Sequence, residues 1–125
     1  MILDSSFLIS FYDKDDSNHE KAISMMKNYV DRKFLLSEYV IGETATVLLY
    51  KNGLEASKAF LETVQQAENF RIIFVSEDDF GKIIDIYKKQ KHQLSFIDAS
   101  LVYLARTTGS ELISFDEDLL KEVKR

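Results

Sequence analysis

The chain has 125 residues, a formal net charge of −5 and a pI of about 5.0. A content of 46% hydrophobic and 30% charged residues is typical of one soluble globular domain and excludes a disordered chain. The absence of cysteine excludes disulfides, a thiolate nucleophile and cysteine zinc sites, and the acidic charge argues against a sequence-reading DNA-binding domain, which is usually basic.

Short apolar segments and longer amphipathic segments alternate along the chain. In chain order they predict a strand over 1–3, a helix over 6–12, a helix from a capping box at 17–20 to about 31, a strand over 34–36, a helix over 38–50 and a helix over 55–67. The second half predicts a strand over 71–75, a helix after a capping box at 76–79, a helix over 95–107, a strand over 112–115 and a helix over 116–123. This alternation predicts a parallel sheet with helices on both faces.

Two aspartates directly follow predicted strands. Asp4 comes after the first strand and Asp116 after the last. If these strands are neighbours, the two carboxylates lie side by side at the carboxyl edge of the sheet, where open parallel sheets place their functional crevice. The alternative for each aspartate is a helix cap, because each also precedes a predicted helix.

Two further carboxylates interrupt apolar helix faces. Glu43 is predicted to share a face with Val40, Val47 and Tyr50, and Asp98 lies on the apolar face of the next-to-last predicted helix. An ionised carboxylate on such a face is costly unless it is paired or binds a metal. The alternatives are that Glu43 reaches solvent from the edge of its face, and that Asp98 closes a capping box with the serine three residues before it.

Together these four carboxylates predict a binding site for a hard divalent cation. No arginine or lysine close to them in sequence compensates their charge, and Mg²⁺ and Mn²⁺ favour oxygen ligands of this kind. One or two such ions activate a water, orient a phosphate and neutralise charge on the leaving oxygen. The chemistry that matches the pattern is phosphodiester hydrolysis.

Four blocks around these residues resemble, in order and with normal spacing, the signature blocks of the PIN domain family. They are MILDSS at 1–6, VIGE at 40–43, LSFIDA at 94–99 and LISFDED at 112–118. The resemblance covers the whole chain, so we expect a single PIN-like nuclease domain over 1–125. The size is similar to that of VapC-type toxins of bacterial and archaeal toxin–antitoxin pairs.

The resemblance implies a three-layer α/β/α sandwich whose mostly parallel four-stranded sheet has the order 3-2-1-4. It implies an endoribonuclease that depends on Mg²⁺ or Mn²⁺, with one or two ions. Its site residues would be the catalytic metal ligands Asp4, Glu43, Asp98 and Asp116, the outer ligand Asp118, and the supporting hydroxyls of Ser5, Ser6 and Ser114. Many relatives continue into another edge strand, whereas here we expect that strand to be missing or replaced by a helix.

The resemblance also implies an RNA substrate, a homodimer and a small antitoxin protein that occludes the acidic pocket. The best basic cluster contains Lys88, Lys89 and Lys91, with Arg106 a weaker candidate for RNA phosphate contacts. The alternative to RNA contact is that these lysines lie at the solvated carboxyl end of a helix, where they complement the helix dipole. Aromatic residues are expected to pack in the core rather than stack on RNA, because most lie on core-facing periods.

Location and competing functions complete the sequence-based expectations. No apolar run is long enough to span a bilayer, and the first residues lack the positive region of a signal peptide, so we expect a cytoplasmic protein without membrane contact.

A non-catalytic PIN-like RNA-binding or scaffold module would share the fold, although the presence of all four carboxylates counts against it. Phosphatases and response receivers of doubly wound sheets want further acidic residues beside Asp4, where Ser5 and Ser6 stand.

Overall fold

Strands and helices alternate from end to end in the computed structural model, which describes residues 1–125. In chain order the elements are β1 (Ile2–Leu3), α1 (Ser5–Tyr12), α2 (His19–Lys27), β2 (Phe34–Ser37), α3 (Glu38–Asn52), α4 (Leu54–Gln66), β3 (Phe70–Ile73), α5 (Glu77–Lys89), α6 (Phe96–Thr108), β4 (Leu112–Ile113) and α7 (Glu117–Lys124). After β4 the chain forms a helix and no further strand. None of the seven helices has the length and apolar character that crossing a membrane requires.

The four strands form one parallel sheet with the order β3-β2-β1-β4. Ile2 of β1 stands opposite Leu35 on one side and Leu112 on the other, so β1 is a central strand. Its residues are almost fully buried, as expected for a parallel strand covered by helices on both faces. The predicted α/β fold class and strand order are confirmed, and the winding reverses between β1 and β4.

A single apolar core of 20 buried residues lies around this sheet. Its largest fully buried side chains include Phe7 of α1, Phe34 of β2, Phe60 of α4, Leu101 of α6 and Leu119 of α7. Burying each such side chain contributes about 1.5–3 kcal/mol relative to leaving it exposed. Four of the helices, α1, α3, α5 and α7, directly follow a strand, so their amino-terminal ends lie at the edge of the sheet where the strands end.

Two strands end earlier than predicted, and side-chain hydrogen bonds explain why. The backbone N–H of Val75 donates to the Glu38 carboxylate at 2.8 Å, so the chain leaves the β3 ladder after Ile73. The N–H of Phe115 donates to Ser6 Oγ at 3.1 Å, so β4 ends at Ile113. The sequence-based prediction placed the ends of both strands two residues too late, because hydrophobicity gives no information about these side-chain acceptors.

The second predicted helix is wrong at both ends. α2 begins after Asn18, which makes no side-chain cap hydrogen bond, so the predicted capping box at 17–20 does not form. The helix ends at Lys27, because the N–H groups of Asn28 and Tyr29 bond to carbonyls three residues back, a tighter turn than the α-helix. Val30, which the periodicity assigned to the helix, is exposed.

Candidate active site

Asp4 lies at the carboxyl end of β1, at the position where the winding of the sheet reverses. Its backbone N–H donates to the Ile113 carbonyl at 3.0 Å, which ties it to β4. Its carboxylate caps α1 by accepting the Ser5 N–H at 2.7 Å, and the residue is only 3% exposed. The sequence left a helix cap and a buried strand-end carboxylate as alternatives for Asp4. In the structure the Asp4 side chain is both at once.

Two serine hydroxyls orient the second oxygen of Asp4. Ser6 Oγ donates to Asp4 Oδ2 at 2.8 Å, and Ser114 Oγ donates to the same oxygen at 2.7 Å. Ser114 Oγ also accepts the Asp116 N–H at 2.9 Å. The end of β1 and the end of β4 are therefore joined by one network of hydrogen bonds, and Asp4 and Asp116 are held in fixed relation through Ser114.

Glu43 reaches this network from α3. The Ser5 hydroxyl donates to Glu43 Oε1 and lies 3.4 Å from Asp4 Oδ1, so Ser5 bridges the two carboxylates. The face predicted for Glu43 is wrong. Tyr50 is 82% exposed, and the buried side of α3 carries Val40, Thr44 and Leu48 instead. Glu43 lies at the edge of that side, half-buried.

Asp98 is half-buried in the first turn of α6 and closes a capping box with Ser95. Asp98 Oδ2 accepts the Ser95 N–H at 3.1 Å, and the Asp98 N–H donates to Ser95 Oγ at 3.0 Å. Burial raises the pKa of the Asp98 carboxyl, and the charges of Asp4 and Asp116 raise it further, against the lowering effect of the Ser95 hydrogen bonds. Asp98 is thus both a cap and a member of an acidic cluster.

Asp116 completes the set at the start of α7, where its Oδ1 accepts the Leu119 N–H at 3.1 Å. No protein group donates to Asp116 Oδ2, Asp98 Oδ1 or Glu43 Oε2. No lysine, arginine or histidine forms an ion pair with any of the four carboxylates. The site therefore presents free carboxylate oxygens, and its negative charges are not compensated by protein cations.

These donors fit a hard divalent cation by their chemistry, since all are oxygens and the charge among them is unbalanced. Their geometry is more open than a metal centre, because no group of three or more His, Asp or Glu side chains is close enough together to hold an ion. A cation would have to draw the side chains of Glu43, Asp98 and Asp116 toward Asp4, whose own carboxylate is fixed by its three donors.

The remaining predicted site residues lie apart from this cluster or already have partners. Asp118 is exposed, and its Oδ1 lies 3.9 Å from His92 Nδ1. The Arg106 guanidinium donates to the Glu122 carbonyl at 2.7 Å, which ties α6 to α7. The predicted basic cluster Lys88, Lys89 and Lys91 is exposed and forms no ion pair.

Sequence reasoning missed a group of partly exposed rings beside the carboxylates. It assigned the aromatic residues to the core, yet Phe80 and Tyr87 are each 43% exposed and both pack on Phe96. The available signal was position, because Phe96 lies two residues before Asp98. Periodicity places Phe80, Ile83, Ile84 and Tyr87 on one face of α5 but does not show that the two aromatic residues lie at the rim of the core.

Comparison with known proteins gives one family and several similar solved structures, among them the two that follow. The sequence model of the PIN domain family matches residues 1–125. A structure of Mycobacterium tuberculosis VapC20, described as a sarcin–ricin loop cleaving toxin, is 22% identical with a TM-score of 0.88 over 96% of this chain and 92% of that one. PAE2754 from Pyrobaculum aerophilum is 16% identical with a TM-score of 0.70, over 97% and 82%. Among curated proteins no match was found.

Proposed function

Because this chain belongs to the PIN domain family, we propose that it is a divalent-metal-dependent endoribonuclease and the toxin of a VapBC-type toxin–antitoxin pair. The observation that carries the proposal is the cluster of uncompensated carboxylates at the reversal of the sheet, in which burial, and then the charges of Asp4 and Asp116, raise the pKa of the Asp98 carboxyl. We take residues 1–125 as one nuclease domain.

In this proposal Asp4, Glu43, Asp98 and Asp116 hold one or two Mg²⁺ or Mn²⁺ ions. A bound ion would supply activation of a water and neutralisation of phosphate charge. The protein's own contribution is orientation, because Ser6 and Ser114 fix the Asp4 carboxylate and Ser5 links it to Glu43. Burial and the charges of Asp4 and Asp116 raise the pKa of the Asp98 carboxyl, so this group binds a proton more readily than an exposed aspartate does when no cation is present.

The partners in this proposal are RNA, a second copy of the chain and a small antitoxin. The support is family membership and the likeness of fold to VapC20, which is described as a toxin. An antitoxin segment that covers the acidic crevice would block both the cation and the RNA phosphate. Asp118 is proposed as an outer ligand, which requires it to leave His92.

RNA cleavage tests the proposal. Purified protein is incubated with total RNA and with short synthetic RNAs in Mg²⁺, in Mn²⁺ and in excess chelator. We expect cleavage that needs the metal and that falls in Asp4→Asn by more than the roughly 10–100-fold that loss of a residue supporting a ligand costs in metal sites. Asp31→Asn removes the same charge from an exposed turn and is expected to cleave as the wild type does.

One observation favours a different function, a non-catalytic PIN-like RNA-binding or scaffold module. No three acidic side chains converge closely enough to hold an ion. Such a module would bind RNA without cleaving it, with or without metal. Metal-independent RNA binding by the wild type, with no cleavage of any RNA in either metal, would replace the nuclease by this module.

A further inference from the structure

Four aromatic rings from three helices meet beside the carboxylates. Phe96 lies at the centre, with ring centroids 5.4 Å from Phe80, 6.0 Å from Tyr87 and 6.3 Å from Tyr39. These distances are typical of tilted aromatic pairs. We call these four residues the ring platform. It joins the start of α3, the length of α5 and the start of α6.

The ring platform borders the proposed active site on two sides. Tyr39 precedes Glu43 by four residues on α3, so the two side chains lie one above the other on the same helix face. Phe96 is the first residue of α6 and directly follows Ser95, the hydrogen-bond partner of Asp98. The ring platform therefore adjoins Glu43 on α3 and the capping box of Asp98 at the start of α6.

The rings are not closed off as a core would be. Phe80 and Tyr87 are each 43% exposed, and Tyr39 and Phe96 are partly exposed. Phe74, which is 68% exposed, lies at the same edge of the sheet, because the next residue, Val75, donates its N–H to Glu38 at the start of α3. Single exposed apolar residues are ordinary, but contiguous exposed rings next to a polar crevice are typical of an interaction surface.

Exposed positive charge lies at the carboxyl end of the helix that carries two of the rings. The helix that carries Phe80 and Tyr87 ends with Lys88 and Lys89, and Lys91 follows two residues later. All three lysines are exposed and without ion pairs. Rings that accept bases, beside cations that accept phosphates, are the combination with which proteins hold single-stranded nucleic acid.

We propose that the ring platform stacks unpaired bases of the RNA whose phosphate lies at the carboxylates. This inference rests on the proposed function and identifies the side chains of this chain that would hold bases next to the cleavage site. Bases inside a duplex are stacked on each other and present no free face to Tyr87 or Phe80. Lys88 and Lys91 would contact phosphates of the same strand, whereas Lys89 lines a separate pocket with Asp85 and Arg106.

Oligonucleotide binding tests the proposal directly. Every protein carries Asp98→Asn so that the RNA stays intact, and fluorescence anisotropy follows a labelled single-stranded RNA in Mg²⁺. Tyr87→Leu and Phe80→Leu keep apolar packing but remove a ring, and each is expected to raise Kd about tenfold, since stacking contributes roughly 1–3 kcal/mol per base. The matched control is Tyr50→Leu, which removes an exposed tyrosine at the far end of α3 and is expected to leave Kd unchanged.

An abasic oligonucleotide of the same length separates stacking from charge. The wild-type rings should favour the normal RNA over the abasic one about tenfold, and Tyr87→Leu should reduce that preference. Equal Kd values for the two oligonucleotides, no binding of either, or equal Kd values for Tyr87→Leu and Tyr50→Leu overturn the proposal. If this face binds a protein segment and not RNA, Tyr87→Leu and Tyr50→Leu will have equal Kd values for RNA. Thermal melting of each variant checks that the fold is retained.

Cleavage assays keep this inference separate from the proposed function. In protein that retains Asp98, Tyr87→Leu is expected to raise KM for single-stranded RNA and to leave kcat within about threefold, because stacking binds substrate and transition state alike. If Asp4→Asn abolishes cleavage while Tyr87→Leu changes neither KM nor Kd, the ring platform is wrong and the nuclease stands. If the wild type cleaves nothing while Tyr87→Leu still loses RNA affinity, the nuclease is wrong and the ring platform stands.

Discussion

At the scale of single residues, the site depends on short polar side chains that each make two contacts. Ser114 donates to Asp4 and accepts from the Asp116 N–H, and Ser6 donates to Asp4 and accepts from the Phe115 N–H. A hydroxyl can do both, whereas an ionised carboxylate only accepts and an ammonium group only donates. The positions of these serines could be taken from the resemblance to PIN domains, but their hydrogen bonds could not.

Ser114→Ala should therefore weaken both the fold and the site. It removes a donor from the buried Asp4 carboxylate and an acceptor from the Asp116 N–H. We expect the free energy of unfolding to fall by about 1–3 kcal/mol, the usual cost of a buried polar group left without a partner. Urea unfolding measures the change. Ser110→Ala is the control, because the Ser110 hydroxyl makes no hydrogen bond, and an equal loss in both variants would contradict the account.

Asp98 should make stability depend on pH. The pKa of its carboxyl is raised in the folded state, chiefly by burial, so the folded protein keeps this proton at pH values where the unfolded chain has lost it. Its contribution to stability is fully present below the unfolded pKa and is lost as the pH rises through the folded pKa. Asp98→Asn removes this loss, because an amide does not ionise.

In chelator, the stability of Asp98→Asn relative to the wild type should thus increase from acid to neutral pH. Urea unfolding of both proteins over that range provides the test. Saturating Mn²⁺ at neutral pH should shift the difference back in favour of the wild type, because only the wild type retains the Asp98 carboxylate as a ligand. A difference that stays constant with pH in chelator would show that Asp98 is not held in an environment that disfavours its charge.

At the scale of elements, the site is built from helix amino termini. Asp4 caps α1, Asp98 lies in the first turn of α6 and Asp116 caps α7. Each of these helices begins at the carboxyl edge of the sheet, so their unpaired N–H groups stabilise negative charge there. Capping and function were alternatives in the sequence, yet the structure shows that a cap occupies one carboxylate oxygen of Asp98 or Asp116 and leaves the other free.

Substitution of two glycines tests the backbone conformations at the carboxyl end of α6 and in the interior of α5. Gly109 ends α6 with φ at +67°, in the left-handed region that disfavours side chains, whereas Gly81 lies inside α5 with open space around it. Gly109→Ala should lower the free energy of unfolding by about 1 kcal/mol, and Gly81→Ala should raise it by up to about 1 kcal/mol. Thermal or urea unfolding gives the signs, and equal signs for the two variants would contradict the assigned conformations.

At the scale of the whole molecule, the sheet order and the helical layers were predictable, but the details of the site were not. Short buried runs such as Phe34–Ser37 alternating with long amphipathic segments require a parallel sheet, and the resemblance supplied the order of the strands. The bridge from Ser5 to Glu43 joins residues 38 positions apart, and no local pattern encodes it. The exposure of Tyr50 and of the ring platform likewise follows from how helices pack, which periodicity does not specify.

The net charge of −5 makes a cation central to the account. A polyanion approaching uncompensated carboxylates is repelled unless the charge of the site is changed first. A cation that binds the folded state alone would also stabilise it, by about 2.7 kcal/mol at a hundred times its Kd. Cation binding, RNA binding and stability are therefore expected to rise together.

Calorimetric titration of Mn²⁺ tests the central claim, that the carboxylates of Asp4, Glu43, Asp98 and Asp116 form a cation site. We predict saturable binding to the wild type and its loss in the double variant Asp4→Asn/Asp116→Asn. The control is Asp31→Asn/Asp85→Asn, which removes the same charge from exposed positions and should retain binding. Equal binding by all three proteins, or binding by none, would contradict the claim.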